Sequence, residues 1–549
     1  MLPKPTAVTL PVVFTEKQLC FFMIFLLVLL QFSALQVPIL EPDGALYAGI
    51  AKTMVQKHDY LNLFADGHDW LDKPHFPFWM AALSFRFFGF HTWSYKLPAI
   101  LFLLLGAWYT YKFAWSLYGE RTARWAVCIM LTAEHLVISN NDVRAEPYLT
   151  GLIIAGVYHF YRGIGFRWSY HLFLGALFTA AAVMTKGMFA LVPVGAAIGG
   201  HLLFTRNWQE ILQWKWLIAA LLTCIFITPE LYALYWQFDL HPEKVVFGTT
   251  GVSGLQFFFW DSQFGRFMNT GPIKGAGDPF FFFHTLLWAF LPWSVMLYAA
   301  VIIFIKKWKQ QREYFCISAA LATFILFSLS KFQLPHYLNI IFPFFAILTA
   351  QYILTLHTDK ELRFFRVTQY TIILLLAAAG VVIDLLYKPA MGYIWLLPVA
   401  ALILLYILLH YWLDKTTKAA VFYRTVAISI LLNLYLNTIL YPDMMQYQSG
   451  SEAALFANTA LPGTTIGMYK MNSYAFEFYM KAPVTRTDTV SNGVFFTTAD
   501  GLSELQQRSS CTIIKSFPNF YVSKLDLPFM RKATRAGTLG ENVLITVKK

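Results

Sequence analysis

Long apolar segments separated by short polar turns fill the first 440 residues of the chain. Each segment approaches the roughly 20 residues that a helix needs to cross a bilayer. The segments are 18–38, 95–118, 122–139, 146–162, 169–185, 187–204, 214–236, 280–305, 314–330, 336–355, 366–387, 391–412 and 420–440. The pattern therefore predicts a polytopic α-helical membrane protein with about 13 transmembrane helices.

Lysine and arginine are concentrated in alternate turns between these segments. One group of turns holds clusters such as Lys306, Lys307 and Lys309, whereas the other group holds single residues such as Lys331. Cytoplasmic turns carry the excess of positive charge, so we expect the N-terminus in the cytoplasm. Three segments too long for turns then lie on the outer side: a first outer segment (39–94), a second outer segment (237–279) and everything after 441.

Composition agrees with a membrane protein. The 549 residues are 58% hydrophobic and only 13% charged, against about 45–50% and about 25% in soluble domains. The net charge of +12 is spread over short turns, so an anionic leaflet is the expected partner and nucleic acid is not. The five scattered cysteines indicate neither a disulfide framework nor a metal-binding spacing.

The pattern changes after residue 441. Strand-like segments at 464–471, 510–516, 520–525 and 542–547 alternate with helical patterns at 451–460 and 498–508. Residues 441–549 are therefore predicted to form a small α/β domain on the outer face, and residues 1–440 to form the transmembrane part.

The first outer segment carries the first candidate chemistry. Its sequence Pro42-Asp43 predicts a helix start, and Tyr47 lies four residues on, hence on the same helical face as Asp43. Two interpretations of Asp43 remain open. It is either an N-cap of that helix or a carboxylate base at a helix N-terminus, where an anion is also favoured.

Other outer turns also carry charged side chains. Lys73 and Arg266 are suited to phosphate oxygens, and Asp72 is a candidate ligand for a divalent metal. Further candidates lie on the same predicted membrane face: Asp142, Arg144, Lys186, Lys331, His336 and Tyr337. A solvated turn, a helix end or a snorkelling lysine would explain any one of them. Five outer loops that bring such residues to one face favour an interfacial enzyme over a transporter or flippase, which would carry its charges near the midplane.

These motifs together resemble the integral-membrane glycosyltransferases of the GT-C class, in particular the bacterial aminoarabinose transferase and protein O-mannosyltransferase families. The resemblance covers roughly residues 1–440. It rests on Asp43 after the first helix, Asp72-Lys73-Pro74 before an aromatic interfacial helix, Asp142 on the next outer turn, Thr185-Lys186-Gly187, and Ser328 through Tyr337. The chain departs from the family where Gly44, Ala45 and Leu46 replace a motif with an arginine, and where Ser262-Gln263 replace a Glu-His pair.

The resemblance implies a GT-C fold with a small periplasmic α/β domain at residues 441–549. It implies Asp43 as the general base, Asp142 as a second acid of the site, and Asp72 as a candidate metal ligand. The donor phosphate would be bound by Tyr47, Lys73, Arg266, Lys331 and Tyr337.

The predicted function is transfer of a sugar from a polyprenyl-phosphate donor, such as undecaprenyl phosphate, to lipid A, another envelope glycan or a protein. The reaction would invert the configuration at the anomeric carbon of the sugar. It would take place at the periplasmic face of a bacterial inner membrane, where nucleotide sugars are absent. A receptor whose outer domain binds a ligand is a third alternative, in which Asp43 would be indifferent.

Overall fold

The computed structural model describes residues 15–165, 169–270, 274–390, 400, 403, 406, 417–489 and 491–548. Most of the chain before residue 446 is helical. The helices are Glu16–Phe32, Asp43–Lys57, Phe76–Phe88, Thr92–Tyr118, Glu120–Thr132, Glu134–Ser139, Glu146–Gly163, Tyr170–Lys186, Leu191–Phe204, Trp208–Ile211, Lys215–Leu234, Gly254–Gln256, Arg266–Met268, Phe281–Ala289, Ser294–Lys306, Phe315–Leu329, Phe342–Thr355, Asp359–Tyr387, Lys418–Tyr435 and Tyr441–Met445. The segments Tyr235–Asp239, Phe257–Gly265 and Leu436–Leu440 are π-helical, and Met188–Ala190 and Pro335–Ile341 are 3₁₀ turns.

By length and composition, five of the described helical segments could cross a membrane: Thr92–Tyr118, Lys215–Asp239, Pro335–Thr355, Asp359–Tyr387 and Lys418–Met445. Twelve of the thirteen predicted apolar segments contain a described helix. The segment 391–412 lies outside the described residues except for residues 400, 403 and 406. The number of membrane spans and the orientation of the chain therefore stay predictions.

Two segments predicted as single helices are interrupted. The segment 122–139 divides at Ala133, whose backbone is extended, and the segment 280–305 divides between Ala289 and Ser294. Pro292 lies in the second break. Because proline has no backbone N–H and its ring clashes with the preceding turn, it ends a helix there.

The helix Glu146–Gly163 lies at the centre of the bundle, with almost every residue buried. It packs against the helices Thr92–Tyr118 and Tyr170–Lys186. A Cβ added at Gly151 would overlap with the carbonyl of Phe102, so the absence of a side chain lets these two backbones approach closely. This central helix begins at Glu146, and its position fixes where that side chain enters the site.

The first outer segment forms two helices, Asp43–Lys57 and Phe76–Phe88, with a short hairpin of β1 (Phe64–Ala65) and β2 (His68–Asp69) between them. The helix Phe76–Phe88 lies where an aromatic helix is expected after Asp72-Lys73-Pro74. Its exposed residues include Leu83, Phe87 and Phe88, a surface that suits the boundary between lipid and water.

The C-terminal residues form a five-stranded sheet. The strands are β3 (Ile466–Tyr469), β4 (Val484–Thr487), β5 (Gly493–Thr498), β6 (Ser510–Asn519) and β7 (Gly540–Lys548), in the spatial order β4-β3-β5-β7-β6. β3 is parallel to β4 and β5, whereas β7 is antiparallel to β5 and β6. Helices Ser449–Ala460, Tyr474–Tyr479, Ala499–Gln506, Leu527–Met530 and Lys532–Arg535 accompany the sheet. We call residues 446–548 of this region the C-terminal unit.

The strand prediction at 520–525 is wrong. Residues Val522–Lys524 form a 3₁₀ turn, after the long strand β6 has ended at Asn519. Strands β4 and β5 were not predicted, because each is short and takes its partners from distant parts of the chain. The boundary between the two predicted domains at residues 440 and 441 stays a prediction.

Candidate active site

One cavity of about 220 Å³ is lined by side chains from five separate segments of the chain. Its lining residues are Asp43, Tyr47, Asp72, Lys73, Pro77, Phe78, Tyr95, Val143, Arg144, Ala145, Glu146, Tyr148, Thr185, Lys186, Arg266, Phe332, Leu334, His336 and Tyr337. These segments are far apart in the sequence, so the fold brings together most of the charged residues that the sequence singled out.

Asp43 is the first residue of its helix, but its carboxylate does not cap that helix. Pro42 occupies the N-cap position, and within the described residues no side chain caps this helix end. Instead, Oδ2 of Asp43 lies 2.9 Å from Nη1 of Arg144. The side chain therefore faces the cavity, as the second of the two interpretations requires.

Arg144 lies between two carboxylates at this acidic end of the cavity. Its Nε donates to Oδ2 of Asp142 over 2.7 Å, while Nη1 pairs with Asp43. Burial raises the pKa of Asp142, although the charge of Arg144 opposes that rise. Burial would lower the pKa of Arg144, but Asp142 and Asp43 raise it above the ordinary value, so the guanidinium stays charged.

Asp72 lies between two cations at the basic end of the cavity. Lys73 Nζ donates to Oδ2 over 2.6 Å, and Arg266 Nη2 donates to Oδ1. Burial alone would raise the pKa of Asp72, but the charges of Lys73 and Arg266 hold it below its ordinary value. Burial lowers the pKa of Lys73, and Asp72 partly restores it.

A second ion pair completes the basic end. Glu146 is 1% exposed; its Oε1 accepts a hydrogen bond from Lys186 Nζ and lies 3.7 Å from His336 Nε2. The same Lys186 Nζ lies 3.8 Å from the ring centre of Tyr337. Three cations (Lys73, Arg266 and Lys186) therefore face two carboxylates here, which leaves one positive charge in excess.

Gln263 fixes the turn that carries Lys186. Its Nε2 donates to the carbonyl of Lys186 over 3.1 Å, and its Oε1 accepts from the backbone N–H of Phe189 over 3.4 Å. Gly187, with φ +92°, lies directly against it, and a Cβ there would overlap with the Gln263 amide. Gln263, which the resemblance places where a histidine is expected, thus holds the turn that carries Lys186.

Apolar space adjoins the basic end. A second cavity of about 70 Å³ shares Asp72, Lys73, Lys186, Arg266 and Tyr337 with the first, and its remaining walls are mainly apolar. A groove of about 470 Å³ with almost wholly apolar walls lies between the helices Leu191–Phe204 and Lys215–Leu234. The turn at residues 188–191 and the π-helix at 257–265 contribute residues to both spaces.

Most predicted site residues meet at the cavity, and one does not. Asp43, Tyr47, Asp72, Lys73, Arg266 and Tyr337 line it, and Asp142 reaches it through Arg144. Lys331 is exposed, and among the described residues that line the two polar cavities it does not occur. The two cavities lend no support to a role of Lys331 in binding donor phosphate, and that role stays a prediction.

Asp72 does not suit a metal. Both of its oxygens are already bound by cations, and a divalent ion would have to compete with Lys73 and Arg266 in a small space. Among the described residues, no group of three or more His, Cys, Asp or Glu side chains is placed to hold a metal ion. No step through a metal is therefore derived.

Sequence reasoning underrated Glu146. The sequence did carry a signal. Glu146 begins one apolar helix and Lys186 ends another, and each charge is costly in a membrane unless the two pair.

Residues 72–236 match the family described as dolichyl-phosphate-mannose-protein mannosyltransferase. The undecaprenyl phosphate-alpha-4-amino-4-deoxy-L-arabinose arabinosyl transferase of Pseudomonas aeruginosa (strain LESB58) is 27% identical over 310 residues, which are 54% of this chain and 52% of that protein. An uncharacterized protein of Aquifex aeolicus (strain VF5) is 22% identical over 437 residues, 79% of this chain and 80% of that protein. The chain thus matches about half the length of this aminoarabinose transferase.

The crystal structure of ArnT from Cupriavidus metallidurans bound to undecaprenyl phosphate has a similar fold. It covers 96% of this chain and 97% of its own, with a TM-score of 0.71 and 17% identity. The chain therefore has an ArnT-like GT-C fold, and its likeness to glycosyltransferases of the polyprenyl-phosphate-sugar-dependent type confirms the resemblance and the enzyme class predicted from the sequence.

Proposed function

We propose that this protein transfers a sugar from a polyprenyl-phosphate donor, such as undecaprenyl phosphate, to an acceptor of the bacterial envelope. The observation that carries the proposal is a single cavity with an acidic pair at one end and an excess of cations at the other. A glycosyl transfer needs both: a base at the acceptor hydroxyl, and positive charge where the leaving phosphate becomes more negative.

The basic end is the proposed place of the donor phosphate. Lys73, Arg266 and Lys186 outnumber Asp72 and Glu146, so an incoming phosphate would balance the remaining charge. Arginine suits this role because its planar fork donates two hydrogen bonds to neighbouring oxygens. Burial raises the pKa of Tyr47, so its hydroxyl stays protonated and is able to donate.

The apolar spaces are the proposed place of the prenyl chain. The small second cavity begins at the same cations that would hold the phosphate, and the larger groove lies beyond the turn at residues 188–191. An anionic head group held beside an apolar groove fits a lipid-linked phosphate better than a soluble sugar phosphate.

Asp43 is the proposed general base. The acceptor oxygen would attack the sugar carbon from the face opposite the phosphate, and its proton would pass to the Asp43 carboxylate. The bond between that carbon and the phosphate oxygen would break, and polyprenyl phosphate would leave with both bonding electrons. Attack from the opposite face inverts the configuration at the anomeric carbon. Asp142 would act through Arg144, which it shares with Asp43.

The proposed setting is the periplasmic face of an inner membrane. Residues 1–440 would form the catalytic membrane domain, and residues 441–549 a periplasmic domain. The acceptor classes are lipid A, another envelope glycan and a secreted protein. The transporter alternative receives no support from the cavity, because its charged residues meet at one end of the bundle rather than along a path through it.

The first test compares envelopes from cells with and without the protein. Mass spectrometry of lipid A, other envelope glycans and periplasmic proteins should show one class losing a sugar mass when the protein is absent. Membranes from the deficient cells then serve as acceptor for the purified protein and a polyprenyl-phosphate sugar. Transfer that restores the same mass is the expected result. An unchanged envelope together with no transfer from any polyprenyl-phosphate sugar would contradict the proposal.

A further inference from the structure

The first outer segment binds both ends of one short helix of the C-terminal unit. That helix, Tyr474–Tyr479, packs against the helix Asp43–Lys57. Glu41 contacts its beginning and Lys52 contacts its end. Asp43 lies between these two residues in the sequence, only two positions from Glu41.

Glu41 is the contact at the beginning of the helix. Its Oε1 accepts from the backbone N–H of Ala475 over 2.6 Å and from Oγ of Ser473 over 2.8 Å. Ser473 is itself the N-cap of this helix. A carboxylate is stabilised here because the first N–H groups of a helix lack backbone partners and carry a partial positive charge.

Lys52 is the contact at the end of the helix. Its Nζ donates to the carbonyl oxygens of Glu477, Phe478 and Met480 over 3.0, 2.8 and 2.8 Å. An ammonium has three donors, so all of them are used. Lys52 is only 9% exposed, and burying a charge is costly unless such bonds compensate for it.

The backbone before Asp43 is held to the C-terminal unit as well. The Ile39 N–H donates to the Tyr479 hydroxyl over 2.8 Å, and the Ile39 carbonyl accepts from Gln448 Nε2 over 3.0 Å. The Glu41 N–H donates to Gln448 Oε1 over 3.0 Å. The chain is thus fixed on both sides of Asp43, while the Asp43 side chain is left to face Arg144.

We infer that Glu41 and Lys52 are positioning residues, through which the C-terminal unit holds the Asp43 carboxylate at the reacting hydroxyl. The inference rests on the proposed function, because it takes Asp43 as the base. Under this inference the C-terminal unit affects the turnover step through Asp43. It does not affect donor binding, which is the role of the basic end of the cavity. Small displacements of a reacting group are costly, on the order of 100-fold in rate for about 1 Å.

The test replaces Lys52 by methionine in the full-length protein. Lys52→Met keeps the length of the side chain but leaves three carbonyls without a donor. We expect kcat for sugar transfer to fall at least about tenfold, while the Kd for polyprenyl phosphate stays unchanged. The matched control is Lys57→Met. Lys57 is on the same helix, and its ammonium lies 4.0 Å from the ring centre of Phe64 with no hydrogen bond or ion pair among the described residues. We expect kcat and Kd of this control to equal those of the wild type.

Three further variants separate positioning from folding. Lys52→Arg retains a cation and should recover part of the lost kcat. Glu41→Gln retains a hydrogen-bond acceptor and should cause a smaller fall than Lys52→Met. In an Asp43→Asn background, Lys52→Met should add no further loss, because its effect passes through Asp43.

Wild-type kcat in a folded Lys52→Met protein would overturn the inference. An equal loss of kcat and donor affinity that Lys52→Arg does not recover would also overturn it, since that result indicates a purely structural contact. If Lys52→Met fails to fold, a wild-type kcat in Glu41→Gln would overturn the inference instead. Full activity of Asp43→Asn would refute the proposed base instead, so the two failures are distinguishable.

Discussion

At the acidic end of the cavity one arginine lies between two carboxylates, and at the basic end three cations lie among two carboxylates. Both ends are networks of partly buried ion pairs, yet their net charges are opposite. The difference indicates a division of work. Under the proposed function, the acidic end accepts a proton, and the basic end, with its excess positive charge, binds a phosphate.

The largest effect should follow from removing the base. Asp43→Asn keeps the shape and the contact with Arg144 but cannot accept the acceptor proton, so we expect kcat for sugar transfer to fall about 10²–10⁴-fold. Asp278→Asn is the control, because Asp278 is an exposed acid of the second outer segment, outside the cavity. A similar loss in both variants would refute the special role of Asp43.

The next effect tests the basic end. Arg266→Gln removes a partly buried cation that pairs with Asp72. We expect the Kd for polyprenyl phosphate to rise roughly 30-fold, as for the loss of a hydrogen-bonded charge partner. Lys331→Gln removes the same charge from an exposed turn and should leave the Kd unchanged. Equal rises in Kd for both variants would show that bulk charge, rather than this cluster, attracts the donor.

A smaller effect should follow at the acidic end when the shared cation is lost. Arg144→Gln leaves Asp43 and Asp142 without the guanidinium that opposes the rise in the pKa of Asp142. We expect the acid limb of the kcat–pH profile to move to higher pH, because carboxylates without a cation hold their protons more tightly. An acid limb at its wild-type position would show that Arg144 does not govern protonation here.

The smallest effect concerns stability and pH. The pKa of Asp72 is lowered in the folded protein, so its ion pairs stabilise the fold above the unfolded pKa of about 3.9 and lose this contribution as pH falls through the folded value. We expect Asp72→Asn to melt at a lower temperature than wild type, by the same amount at pH 7 and pH 5. A difference that vanishes by pH 5 would contradict the lowered pKa.

The site was largely predictable because charged side chains at the same level of a membrane are costly unless they form ion pairs. The predicted topology places Asp43, Lys73, Arg266 and Tyr337 on one side, and the fold brings them to one cavity. The same reasoning could not tell Lys186 from Lys331, since both lie in short turns predicted on the outer side. The difference is the buried partner Glu146, which Lys186 has and Lys331 lacks among the described contacts.

Local sequence also could not decide the role of Asp43. An aspartate after proline is typical of a helix N-cap, and only the position of Arg144, about a hundred residues away, explains why the side chain turns to the cavity. In the same way, apolar runs predicted the helices well, whereas the short strands β4 and β5 depend on partners that no local pattern identifies. Contacts between distant segments account for what was missed.

The division of work between the two ends is tested most directly by measuring kcat and donor Kd together in Asp43→Asn and Arg266→Gln. We predict that Asp43→Asn loses turnover and binds polyprenyl phosphate like the wild type, and that Arg266→Gln binds it weakly. Weakened donor binding in Asp43→Asn with wild-type binding in Arg266→Gln would contradict the assignment of the two ends.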